Sequence, residues 1–332
     1  MQHGSEEKIL ERIAASLRLR GAEGYQGLRL AIGDDAAVWK SRRGYQTILT
    51  CDWFLEGTHF LRDIHPADAV GWKCLARALS DVAAMGGEPR CFLLSLALPE
   101  SHTGAWLTMF LMGLRRASKR FECAAAGGDT TRSEKILISV SVIGEMKEGH
   151  VLRRSGAKPG DGIFVSGRLG EAELGLRELR ESKNALRGGD ALLRKHLYPA
   201  PRLRLGRWLA KSGMATAAMD LSDGLSSDLP RLCAASGVGA VIEKASLPLA
   251  RFPRSVERLR GELLKAALDG GDDYELLFTV SRKKANRLPR KVEGTAITRI
   301  GTITAGDTVA VVRENGRAEE LRPRGWDPFR RK

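Results

Sequence analysis

ADAVGWKCLARALSDVAAMGG, residues 67–87, runs directly into EPRCFLLSLAL, residues 88–98, and this junction decides the fold. The first segment carries apolar residues at three- and four-residue spacing, which winds them onto one buried face of a helix. CFLLSLAL, 91–98, is a short apolar run of strand length. The same two textures alternate on either side. YQTILTCDWF (45–54), KILISVSVIGEM (135–146) and the short AAVW (36–39) read as strands, and HTGAWLTMFLMGLRRASKRF (102–121) reads as a second helix. Such alternation predicts an α/β domain. Near residue 150, RRSGAKPGDGIFVSG (153–167) places Pro159 and several glycines before another strand, which marks a domain boundary. Beyond it the mixture returns, with helices expected at EAELGLRELR (171–180), PRLRLGRWLAKSG (201–213) and SSDLPRLCAASG (226–237). Strands are expected at GAVIEK (239–244), YELLFTV (274–280) and ITRIGTITA (297–305).

Composition narrows the classes of protein that fit. The chain has 332 residues, 43% of them hydrophobic, enough for roughly two domains with real cores. Its longest uncharged apolar run, AWLTMFLMGL (105–114), is about half the ~20 residues a membrane-spanning helix needs, and the N-terminus is polar, so a soluble cytoplasmic protein is expected. Five well-separated cysteines, with no C-x-x-C spacing, argue for reduced thiols rather than a disulfide framework. The net charge of +14 attracts nucleic acid or any polyanionic small substrate. The basic residues lie on helix faces, in SRKKANRLPRK (281–291) and in the tail, without the interleaved aromatics of a base-stacking surface. A solvated surface is the better reading, and nucleic acid is not an expected partner.

Acidic motifs punctuate the apolar segments: Asp34 and Asp35 in IGDDAAV, Asp52 in LTCDWF, Asp81 in ALSDVAAMGG, Asp129 in AGGDTTRS, Asp220 and Asp223 in MDLSDGLSSDL, and Asp272, Asp273 and Glu275 in LDGGDDYELL. One Asp beside Gly reads equally as a turn residue or helix cap. Six such motifs at the edges of apolar segments require cations, because isolated carboxylates are very costly to bury. Oxygen donors from Asp, Ser and Thr, without His or Cys at ligand spacing, suit Mg²⁺, and Mg²⁺ in turn suggests a phosphate substrate. The phosphate cradles of other families are missing. There is no G-x-x-x-x-G-K-[ST], no G-x-G-x-x-G and no kinase H-R-D loop. Glycine-rich turns are expected instead at AGGDTTRS (126–133) and SGRLGEAELG (166–175), the second leading into a helix N-terminus able to receive an anion.

Taken in order, IGDDAAV, TCDWFLEGTHF, LARALSDVAAMGGEP, LSLALP, GGDTTRS, RSGAKPGD, MDLSDGLSSDL and ALDGGDDYELLFTV resemble the successive signatures of the thiamine-monophosphate kinases, in the superfamily of aminoimidazole ribonucleotide synthetase. The resemblance runs from about residue 30 to the tail. It implies an α/β (α+β), two-domain aminoimidazole ribonucleotide synthetase-like fold. Residues 1–150 would form an N-terminal domain whose strands pair across a homodimer and which carries metal- and ATP-binding aspartates. Residues 151–332 would complete the nucleotide and substrate site. The implied reaction is the ATP- and Mg²⁺-dependent phosphorylation of thiamine monophosphate to thiamine diphosphate, with several Mg²⁺ ions.

Carried over position by position, the resemblance implies metal-binding roles for Asp35, Thr50, Cys51, Asp52, Asp81, Asp129, Asp220 and Asp223, with Asp34 beside them. It implies ATP contacts from Gly128, Asp129, Arg154 and Ser222, with Thr131 and Arg132 as phosphate neighbours, and contacts to thiamine monophosphate from His59, Asp272 and Trp326. No general base is implied, since the acceptor is itself a phosphate oxygen. Two positions depart from the family pattern: Asp272 stands where Glu is usual, one methylene shorter, and Cys51 where Ser or Thr is usual, a soft donor for a hard cation. Other ATP-using members of the superfamily with a different small acceptor are the alternative reading, and a nucleic-acid-binding protein on this fold is a more distant one.

Overall fold

The computed structural model describes residues 6–17, 27–30, 38–181, 191–251, 262–312 and 316–329. Its contacts divide the chain into two units, Met1–Val82 with Gly87–Glu148, and Ala83–Gly86 with Gly149–Lys332.

In the first unit, helix α1 (Glu6–Leu17) and the short strands β1 (Leu28–Leu30) and β2 (Val38–Trp39) precede β3 (Tyr45–Leu55), α2 (Ala67–Ala84), β4 (Glu88–Leu98), α3 (Ala105–Phe121), β5 (Ala124–Arg132) and β6 (Leu137–Lys147). A four-stranded sheet has the order β3-β6-β4-β5, antiparallel except for the parallel pair β4 and β5. The helix–strand junction of residues 67–98 thus forms α2 and β4, with Gly86 and Gly87 between them. Along β3 burial alternates: Ile48 and Phe54 face inward, whereas Leu49, Cys51 and Trp53 are exposed. Two glycines let α2 and α3 cross closely. A Cβ on Gly71 would lie 2.0 Å from the Phe110 carbonyl oxygen, and one on Gly113 would lie 1.8 Å from that of Asp68.

One expectation is corrected here. AGGDTTRS is not a turn: its first seven residues belong to β5, an edge strand lying parallel to β4. Glycine there serves close approach of backbones, since a Cβ on Gly128 would lie 1.9 Å from the Leu94 carbonyl oxygen.

The second unit is built on β7 (Gly162–Ser166), α4 (Glu171–Glu181), α5 (Ala191–Leu197), α6 (Leu203–Ser212), β8 (Ala215–Leu221), α7 (Leu225–Ser236), β9 (Gly239–Glu243), α8 (Leu263–Asp269), β10 (Glu275–Val280), α9 (Arg282–Ala285), β11 (Lys291–Val292), β12 (Thr295–Thr304), β13 (Val309–Val312) and β14 (Ala318–Glu320). The mixed sheet runs β14-β13-β9-β12-β7-β10-β8, with β11 paired to β12 and β13 parallel to β9. Central strands β7 and β10 are buried along their whole length, as strands covered on both faces must be. Their Ile163, Val165 and Leu277 pack with Met219, Leu229, Leu232 and Ile300 in one core. Among the described residues no helix is long and apolar enough to cross a membrane, and all five cysteines are free thiols.

Candidate active site

In the first unit, alternation along β3 puts Thr50 and Asp52 on the face toward α2. There the Thr50 hydroxyl donates to Asp81 Oδ2 at 2.5 Å, and Arg77, one turn before Asp81 on α2, lies 3.5 Å from Asp52 Oδ2. The same guanidinium sits 5.4 Å from the ring centre of Phe54. Arg77 was not singled out from the sequence, although its position four residues before Asp81 places both on one helix face.

Cys51 falls between Thr50 and Asp52, so its thiol is on the opposite, exposed face, 3.3 Å from Ser139 Oγ. The pairings Trp53–Ser139, Ser139–Ser95 and Ser95–Asp129 put Asp129 on that face as well, where Oδ1 accepts the N–H of Thr130 at 2.9 Å. Thr131 and Arg132 are exposed at the end of β5. After β3 the chain turns through EGTHF. His59 Nδ1 accepts the Leu55 N–H at 3.0 Å, which fixes the ring proton on Nε2. Asp34 and Asp35 lie outside the described residues.

The second unit brings Asp220, Ser222, Asp223, Asp272 and Trp326, though not Arg154, to the loop between β8 and α7. Asp220, buried near the end of β8, pairs in register with Leu276 of β10. Ser222 and Asp223 follow in the loop. The Ser222 carbonyl accepts the Asp272 N–H at 2.8 Å, and the Asp223 carbonyl accepts the Trp326 N–H at 2.8 Å. Residues distant in sequence are therefore stitched to one three-residue loop through their main chains. The indole of Trp326 remains 40% exposed beside it. Asp272 Oδ1 accepts the Tyr274 hydroxyl at 2.6 Å, and both residues adopt positive φ, 68° and 49°, a conformation that concentrates at functional sites. Arg154 is exposed, and its carbonyl accepts the Ser236 hydroxyl.

Three residues missed in the sequence reading order this loop. Asp228 accepts N–H groups from Ser222, Asp223 and Gly224, and Arg231 bridges Asp223 Oδ2 and Asp228 Oδ1 at 2.5 and 2.8 Å. Tyr274 is the third. Burial, and next the neighbouring Asp223 charge, push the Asp228 carboxyl up to about 6, against the N–H donors and Arg231.

The anion-receiving helix start expected after SGRLG is filled by the chain itself. Asp273 Oδ2 and Oδ1 accept the N–H groups of Gly170 and Ala172 at 2.6 and 3.1 Å, at the N-terminus of α4. Deeper in the unit, the buried Glu275 carboxylate joins Ser166 of β7, Arg202 ahead of α6, and Lys195 of α5.

Among the described residues no three His, Cys, Asp or Glu side chains come together as a metal cluster. The donor chemistry nevertheless suits a hard cation. Thr50, Asp52 and Asp81 in one unit and Asp220, Ser222 and Asp223 in the other are all oxygen donors. Arg77 and Arg231 beside them provide positive charge for Asp52 and Asp223.

Acidic residues on β3 and α2 of one α/β unit and in the β8–α7 loop of the other belong to a chain of the AIR synthase-related class. Residues 33–146 match the model of the AIR synthase related protein N-terminal domain, and residues 158–314 that of the C-terminal domain. Within the class, the chain is 37% identical over 302 residues to the thiamine-monophosphate kinase of Aquifex aeolicus (strain VF5), covering 90% of this chain and 92% of that protein. It superposes on the crystal structure of thiamine-monophosphate kinase from Stenotrophomonas maltophilia K279a with TM-score 0.80 and 36% identity, over 93% of this chain and 96% of the other. A structure of AaThiL complexed with AMPPCP and TMP gives TM-score 0.74 and 34% identity, over 97% and 96%. The chain belongs to the thiamine-monophosphate kinase family.

Proposed function

We propose that this protein transfers the γ-phosphoryl group of ATP to thiamine monophosphate, forming thiamine diphosphate, as a cytoplasmic homodimeric enzyme. The observation that carries the reading is the stitching of Asp272 and Trp326 to the Ser222–Asp223 loop, which sets a carboxylate and an exposed indole beside an acidic turn. A carboxylate and an aromatic face suit a cationic thiazolium, through charge pairing and cation–π contact.

In this reading Thr50, Asp52 and Asp81 in the first unit and Asp220 and Asp223 in the second would hold Mg²⁺, with Asp35 as a further ligand and Cys51 serving through its carbonyl. Asp129, on the opposite face of the sheet from Thr50 and Asp52, would act with the ATP-contacting residues. A Mg²⁺ ion held by these carboxylates would supply positive charge for the phosphate oxygens. Gly128, Arg154 and Ser222 contact ATP. Thr50 orients the Asp81 carboxylate, and Arg77 holds Asp52 in place. His59, with its proton on Nε2, orients the substrate and removes no proton, because the attacking phosphate oxygen is already nucleophilic near pH 7.

The test offers the purified protein ATP and Mg²⁺ with thiamine monophosphate or free thiamine, and detects thiamine diphosphate. Product from the monophosphate alone supports the reading. Product from neither, with Mg²⁺-dependent ATP binding intact, moves the assignment to another acceptor within the class. Asp81→Asn, which keeps shape while losing a charged ligand, is expected to lower kcat at least ~100-fold without unfolding the protein. Wild-type turnover with wild-type Mg²⁺ dependence in that variant rejects the metal assignment.

A further inference from the structure

Asp228 sits in the first turn of α7, fully buried, and its contacts go backward out of the helix. Oδ2 accepts three consecutive N–H groups, from Ser222 at 3.1 Å, Asp223 at 3.0 Å and Gly224 at 3.1 Å. A capping side chain ordinarily satisfies one N–H at the helix start. Here one oxygen gathers the N-cap residue Gly224 and the two residues before it. Three converging N–H groups fix the peptide planes of the loop around Asp228. The carbonyls of Ser222 and Asp223 make the other set of contacts, accepting the N–H groups of Asp272 and Trp326. Oδ1 meets Arg231, which also holds the Asp223 carboxylate. The placement of Ser222 and Asp223, and through their carbonyls that of Asp272 and Trp326, thus depends on this buried side chain, with the Ser226 and Ser227 hydroxyls also accepting the N–H groups of Arg324 and Gly325.

We propose that Asp228 is a positioning residue for the reaction, fixing the Ser222–Gly224 loop so that its carbonyls register Asp272 and Trp326 for the substrate. For its catalytic consequence the proposal rests on the kinase reading above; its structural consequence stands apart from it. A helix cap and nothing more would lower stability when removed and leave substrate KM unchanged. A positioning role changes the loop and the substrate site together.

The experiment compares wild type with Asp228→Asn and Asp228→Ala by amide hydrogen exchange at residues 222–224, 272 and 326, and by KM for thiamine monophosphate and kcat. Asparagine keeps the shape and one acceptor oxygen, so the test survives if the alanine variant does not fold. The alanine variant is expected to exchange about tenfold faster or more at those amides and to lose about 100-fold in kcat/KM, with KM raised. The asparagine variant is expected to fall between it and wild type. An asparagine variant with wild-type exchange at all five amides and wild-type KM overturns the proposal, as does a fall in thermal midpoint alone. If wild type makes no thiamine diphosphate, the kinase reading fails, and the exchange data still decide whether Asp228 holds the loop.

Discussion

At the scale of single residues, β3 separates neighbours by face. Thr50 and Asp52 turn toward α2 and Asp81, while Cys51 between them is exposed on the other side, against Ser139. A thiol there makes no use of its softness, and a serine occupies the same site with little change. Cys51→Ser is therefore expected to leave kcat/KM within about twofold of wild type, the range of an exposed substitution. A large loss in steady-state assay refutes this. That Cys51 and Asp52 point apart follows from the period of two in any strand. That Asp228 and Arg231 serve the site was not legible because, three to eight positions from their partners, they read as an ordinary helix-start carboxylate and a solvated basic residue. Tyr274 was not legible because its bond to Leu221 depends on a strand contact distant in sequence.

At the scale of elements, Asp273 caps α4 from the strand side, tying the loop before β10 to the start of that helix. Burial pushes its carboxyl up to about 8, against the pull of the two N–H donors. A carboxyl that binds its proton more tightly in the folded chain favours the fold at low pH. That contribution is fully present below about pH 4, the unfolded aspartate value, and is lost as the pH rises toward 8. Relative to Asp273→Asn, wild type should lose stability across this window, as read from denaturant midpoints at pH 4, 6 and 8. A difference between the two proteins that does not change with pH contradicts the assignment.

At the scale of the whole molecule, the open face of the first unit's sheet is conspicuously apolar. Leu49, Trp53 and Leu93 are 75%, 56% and 36% exposed on neighbouring rows of β3 and β4. A cluster of that kind marks an association surface, and a second copy of this chain is the proposed occupant. Light scattering should find a dimer for wild type and a monomer for Leu49→Asp combined with Trp53→Asp. A monomeric wild type disposes of the homodimer.

The sequence by itself determined the α/β class, the main helices and strands, and the acidic motifs, because periodicity and glycine-flanked aspartates are local signals. Its ordered motifs also carried the family. Tertiary structure alone decided that AGGDTTRS is a strand, since only the close passage of β4 requires glycine at 128. It likewise decided that the group accepting the N–H donors at the start of α4 is the chain's own Asp273 carboxyl, and that Asp272 and Trp326 meet one loop. Each of these depends on which distant backbone groups satisfy one another, a pairing settled when buried polar groups must find partners.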